Sequence, residues 1–85
     1  MITAQEAKEL FEKNEKYNRN LTYYKNAINE EIKTSAKRGE RKAGYVITGH
    51  YSSAIGHEIK KELLENGFRV IIIDTFGQCE LIIKW

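Results

Sequence analysis

The chain has 85 residues, a net charge of +2, one cysteine and no proline. That length makes a single domain, residues 1–85, with a modest core, a situation in which small proteins commonly self-assemble. One thiol excludes an internal disulfide and a multi-thiolate metal site, and no apolar run is long enough to span a bilayer.

The first element in chain order is a helix over about 4–14. Thr3 is a good N-cap, and Glu6 three residues on completes a capping box. Ala4, Ala7, Leu10 and Phe11 follow at helical spacing. The opening MITAQEAKELFEKNEK lacks the apolar core of a signal peptide, so the expected location is cytoplasmic. The polar string NEKYNRN, beginning at Asn14, should bend or break the helix.

A second, long helix is predicted over about 17–38. Tyr17, Leu21, Tyr24, Ile28 and Ile32 form a narrow apolar stripe, and Gly39 is a natural residue to end it. About 22 residues give about 33 Å of helix, whereas a seven-residue strand spans only about 23 Å. The helix should therefore overhang any sheet built from the rest.

From Ala43 the period changes. AGYVITGH reads as a strand, SSAIGHEIKKELLENG as a helix stopped by Gly67, FRVIIIDTFG as a second strand and QCELIIKW as a third. The unbroken run Val70-Ile71-Ile72-Ile73 implies cover on both faces. Gly77 supports a tight turn and hence a hairpin of the last two strands. The expected fold class is α+β: two N-terminal helices, then a β-α-β-β unit with a three-stranded mixed sheet. The last strand lies either in the middle or at an edge, and its apolar LIIKW favours the middle.

Charge is uneven. Residues 1–15 carry four glutamates against two lysines, residues 16–42 eight basic against three acidic side chains, and residues 43–85 four basic against five acidic. The basic block peaks at Lys37, Arg38, Arg41 and Lys42. It either complements a helix C-terminus or attracts an anionic partner.

ITAQEAKEL at the start and Ile83-Lys84-Trp85 at the end resemble the ITAxEA opening and apolar-x-Trp ending of small accessory proteins of tailed bacteriophages. Those proteins also tend to carry a basic helix ending in Gly and a strand-helix-strand unit. The matching residues, Thr3, Ala4, Ala7 and Trp85, are structural in kind. The loop GHYSSAIGH departs from the G-L-S-E-E type of helix start. The resemblance implies a protein working inside an infected bacterium, where such proteins inhibit a host or defence protein or sequester a nucleotide signal.

The stretch TGHYSSAIGHEI, residues 48–59, carries both histidines. A strand ends at Thr48, Gly49 allows a turn, and a helix begins among hydroxyls. Free N–H groups at a helix start favour phosphate, so His50, Tyr51, Ser52, Ser53 and His57 are candidate ligands of an anion. The competing reading is a capped helix start with Ser52 or Ser53 as N-cap. Gly56 inside the helix signals a close approach, by a ligand or by the sheet.

Neither a P-loop nor a dinucleotide fingerprint is present. His50, His57 and Glu58 lack a third metal ligand at a usual spacing, and no nucleophile elbow surrounds a serine, so neither metal, cofactor nor enzymatic activity is expected. Tyr17, Tyr23 and Tyr24 on a basic helix could stack bases, but Tyr17 and Tyr24 belong to the apolar stripe.

The expected function is that of a non-enzymatic, self-associating binding protein. It would hold an anionic ligand of the nucleotide kind with His50, Tyr51, Ser52, Ser53 and His57, joined by Arg38, Arg41 and Lys42. The alternatives are an inhibitor of a host or defence protein acting through its basic helix, and a weak nucleic-acid binder.

Overall fold

The computed structural model describes residues 1–85. The elements are α1 (Ala4–Glu12), α2 (Glu15–Lys37), β1 (Lys42–Thr48), α3 (Ser52–Glu65), β2 (Arg69–Thr75) and β3 (Gln78–Lys84), an α+β arrangement. No helix is long and apolar enough to cross a membrane. The molecule is elongated, 53 × 23 × 22 Å.

Local chemistry sets the helix limits. Thr3 caps α1, its Oγ1 accepting from the Glu6 N–H at 3.1 Å. Asn14, expected only as a breaker, also starts α2: its Oδ1 accepts from the Tyr17 N–H at 3.0 Å. This satisfies an orphan donor of the first turn and moves the helix start back to Glu15. At the far end Gly39 takes φ 84°. The Glu40 N–H then bonds the Ser35 carbonyl and the Gly39 N–H that of Ala36, both at 3.0 Å. Gly67 ends α3 in the same way, with φ 90°.

The strand order is β1-β3-β2, and β3 is antiparallel to both neighbours. The expected mixed sheet is thus corrected to an antiparallel one. β1 and β2 do run in the same direction, as their crossover through α3 requires, but β3 separates them and no parallel pair forms. The hairpin forms around Phe76 and Gly77, with Thr75 opposite Gln78 and Gly77 at φ 79°.

α2 and α3 cover one face of the sheet. From the strands that face presents Ile47, Cys79, Leu81 and Ile83, which with Tyr17, Ile28, Ile55 and Ile59 form the buried core. Each fully buried aliphatic side chain contributes about 1.5–3 kcal/mol. The α2 stripe behaves as its spacing predicts: Tyr17 and Ile28 are buried, and Leu21, Tyr24 and Ile32 pack at the core margin. Tyr24 also pins the end of edge strand β1, its hydroxyl donating to the Thr48 carbonyl at 3.3 Å and accepting from the Thr48 N–H at 3.4 Å.

The second expectation to fail is cover on both faces of β2. Val70 and Ile72 point to the helices, whereas Ile71 and Ile73 remain 52% and 46% exposed. The apolar run marks a strand with one face inside and one face open. α1 lies outside the core altogether, with no buried residue. Its anchor is Phe11, whose ring sits 4.4 Å from that of Tyr17 and 6.0 Å from that of Tyr51.

Candidate functional site

The loop after β1 is built by its glycine and by the hairpin next to it. Gly49 turns at φ 101°. Its N–H donates to the Gly77 carbonyl, and its own carbonyl accepts from the Ser52 N–H at 3.2 Å. The residue at the N-cap of α3 is Tyr51, which makes no side-chain cap bond. A serine cap is therefore the wrong reading: Ser52 is already inside the helix and buried.

What serves α3 instead comes from β2. Asp74 lies in the same cross-strand row as Cys79 and Ile47, on the helix-covered face. Ser53 Oγ donates to Asp74 Oδ2 at 2.5 Å, and His57 Nε2 stands 3.4 Å from the same oxygen. α3 has no acidic residue in its own first turn, so Asp74 supplies the negative charge that the positive end of a helix favours. The place an external anion would take is filled by a carboxylate of the chain.

The remaining predicted residues divide. Tyr51 is half-buried and belongs to the aromatic cluster, 5.8 Å from Tyr17 between ring centres. His50 is exposed and packs edge-on against Tyr51 at 5.0 Å. Gly56 answers the question its helix position poses: a Cβ there would overlap the Cys79 side chain, so the close approach is by the sheet. Ser53, His57 and Asp74 do not form a catalytic triad. The carboxylate sits between serine and imidazole, whereas general-base activation of a serine needs the imidazole in the middle.

The basic residues lie at the other end. Lys42 begins β1 and Thr48 ends it, so a strand length of about 20 Å separates Arg41 and Lys42 from the 48–57 loop. The predicted ligands make two groups, not one site. Arg38 Nε donates to Glu40 at 3.1 Å. Arg41 Nε donates to the Trp85 carbonyl at 3.0 Å, while the Trp85 N–H returns a bond to the Arg41 carbonyl.

Two residues the sequence reading passed over complete this end. Lys42 is the cross-strand partner of Lys84, and Lys84 is the partner of Arg69. Direct partners on neighbouring strands share a face, with Cβ atoms about 5 Å apart. Three cations therefore stand in one rung on the open face, and none has an acidic side chain within ion-pair distance. Beside them is an open cleft of about 400 Å³ lined by Glu40, Arg41, Lys42, Arg69, Lys84 and Trp85. Half of the rung was legible: counting outward from a two-residue turn at Gly77 pairs Arg69 with Lys84. Adding Lys42 needs the β1 register, which no local signal carries.

Fold and site together define a small α+β domain with one bare sheet face and a cationic cleft at its end. No protein-family model, curated protein or solved structure matches the chain.

Proposed function

We propose that the protein is a non-enzymatic binding protein that self-associates and holds an anionic, phosphate-bearing ligand in the cleft at Lys42, Lys84 and Arg69. The rung itself carries this reading. Like charges directly opposite each other across strands cost about 0.2–1 kcal/mol per pair. A fold that keeps two such pairs together, with no acid within ion-pair distance of them, has a local conflict of the kind that marks binding sites. A multiply charged anion resolves it.

Trp85 and Arg41 narrow the class. Trp85 lines the cleft while its ring packs edge-on against Phe68, 6.1 Å between centres, and an aromatic residue beside a cation cluster suits a ligand with both a planar base and phosphates, which is a nucleotide. The resemblance to phage accessory proteins supports a setting in an infected bacterium, with sequestration of a nucleotide signal as the role. The basic helix is the weaker candidate for contact with a host protein, because two of its lysines are already engaged: Lys25 with Glu62 at 2.8 Å and Lys33 with Glu30 at 3.5 Å.

Calorimetric titration with pyrophosphate and with ATP tests the reading. Binding should weaken at least about tenfold in the triple variant Lys42→Gln/Arg69→Gln/Lys84→Gln and fall steeply with salt. Ser53→Ala should bind as the wild type does. Failure of both probes to bind the wild type, or equal binding by the triple variant, would refute it.

A further inference from the structure

The face of the sheet turned away from α2 and α3 has four rungs. The two inner ones are Gly44–Ile82–Ile71 and Val46–Glu80–Ile73. The outer ones are the cationic Lys42–Lys84–Arg69 and the neutral Thr48–Gln78–Thr75. Val46, Ile71 and Ile73 stay 43%, 52% and 46% exposed, and Ile82 half-exposed. A contiguous aliphatic patch of this kind marks a contact surface.

Glu80 is the unusual member. It is the sole acid on the face, half-buried between Val46 and Ile73. It has no cation within ion-pair distance in its own chain. A carboxylate held among aliphatic side chains is costly unless something positive meets it.

We infer that the partner of this face is a second copy of the chain, packed face to face with the twofold axis running across the strands. Isologous packing of one face on itself with the strands of the two sheets aligned leaves two choices of axis. With the axis along the strands, each rung meets itself: six cations would crowd at one end and Glu80 would face Glu80. With the axis across the strands, the rungs exchange. The cationic rung then covers the neutral Thr48–Gln78–Thr75 rung, and the inner rungs cover each other.

The second alignment satisfies both charge and shape. Ile71 lies over Ile73 of the second copy. Val46 lies over Gly44, where a Cβ would meet nothing nearer than the Leu81 carbonyl at 3.9 Å, so the valine has room. Lys84 of the second copy stands one rung beyond Glu80, and sheets about 10 Å apart leave the two side chains within reach. Symmetry makes two such pairs per dimer. Lys42 and Arg69 lie over Thr48 and Thr75 of the second copy at the rim of the interface, and Lys84 serves both this contact and the ligand cleft. The face measures about 15 by 23 Å, small for an interface, so the pairing is reversible and concentration-dependent.

This inference rests on the self-association in the proposed function, and it names the surface and the alignment. Sedimentation equilibrium from about 5 to about 500 μM should show a monomer–dimer equilibrium. Glu80→Lys and Lys84→Glu should each weaken the dimer at least about tenfold, and the double exchange should restore it to within about threefold. Glu80→Gln, which removes the charge with little change in shape, should weaken it in the same direction. A monomer at every concentration would overturn both the self-association and this surface. A dimer indifferent to all these changes would use another surface, so only this inference would fall. Two damaging single exchanges with no recovery in the double would refute the alignment.

Discussion

Gly56 of α3 lies against the side chain of Cys79 in β3, so that a Cβ on the glycine would be 3.2 Å from the cysteine Cβ and would overlap its sulfur. α3 settles onto the middle strand at this point because both residues are small. Alanine is better than glycine inside a helix by about 1 kcal/mol, so Gly56→Ala would stabilise an isolated α3. In the protein the expected result is the reverse, a loss of about 1–3 kcal/mol from overpacking. Removing the sulfur should relieve it: Gly56→Ala/Cys79→Ala should be more stable than the sum of the single changes, as a double-mutant cycle by urea unfolding will show.

The same thiol makes stability depend on alkaline pH. Burial, and then the nearby Asp74 charge, push the Cys79 thiol above its ordinary value of 9.0. The folded state holds that proton more tightly than the unfolded state does. The contribution is therefore complete below pH 9.0 and is lost as pH rises through the folded value. Burial also raises Tyr17 and Tyr45 above 10.0, which adds a second loss at higher pH. Melting temperature should fall from about pH 9 upward, and Cys79→Ala should flatten the first part of that fall. Alkylation of Cys79 below pH 9 should proceed only as fast as the protein opens.

Asp74 holds the start of α3 from outside the helix. Asp74→Asn should lower stability by about 1 kcal/mol, a value reduced by partial exposure of the site. Ser53→Ala should cost about as much, and the two together less than their sum, since both remove one hydrogen bond. Neither change should alter pyrophosphate binding. A strong effect of Ser53→Ala on that binding would return the 48–57 loop to consideration as an anion cradle.

The rung of Lys42, Lys84 and Arg69 should be visible in stability without any ligand. At low salt the triple glutamine variant should be more stable than the wild type by about 1 kcal/mol, because two like-charge pairs are gone. The difference should shrink toward zero at about 0.5 M salt, where such repulsion is screened. Thermal melts of both proteins across a salt series read this directly. An advantage that persists at high salt would mean the three side chains are not in mutual repulsion.

Local signals in the sequence are legible where the partner lies within a few residues. Thr3 with Glu6, Gly39 after α2 and Gly77 in the hairpin each act over one turn, and each does what its neighbours predict. The spacing of Tyr17, Leu21, Tyr24, Ile28 and Ile32 located the inner face of α2. Apart from Asn14, whose capping partner Tyr17 is three residues on, the misreadings involve a partner far along the chain. Ser53 looks like a cap until Asp74 arrives from β2 to accept its hydroxyl. The run from Val70 to Ile73 looks doubly covered because nothing local says that the helices stack on one side only. The site follows the same rule: Lys42 stands out in its basic block, but Lys84 and Arg69 join it only through strand register.

The position of β3 also bears on how the chain is made. β1 and β2 touch each other nowhere, and the strand that joins them is the last of the three to be synthesised. Until β3 emerges, a ribosome-bound chain can form helices but has no sheet to lay them on, and the Val70–Ile73 run remains open to other strands. Folding is then a single late event that closes long-range contacts together, which is slow for a chain this size. Loss of β3 would not leave a smaller version of the fold. It would leave two unpaired apolar strands, and such fragments aggregate or are degraded.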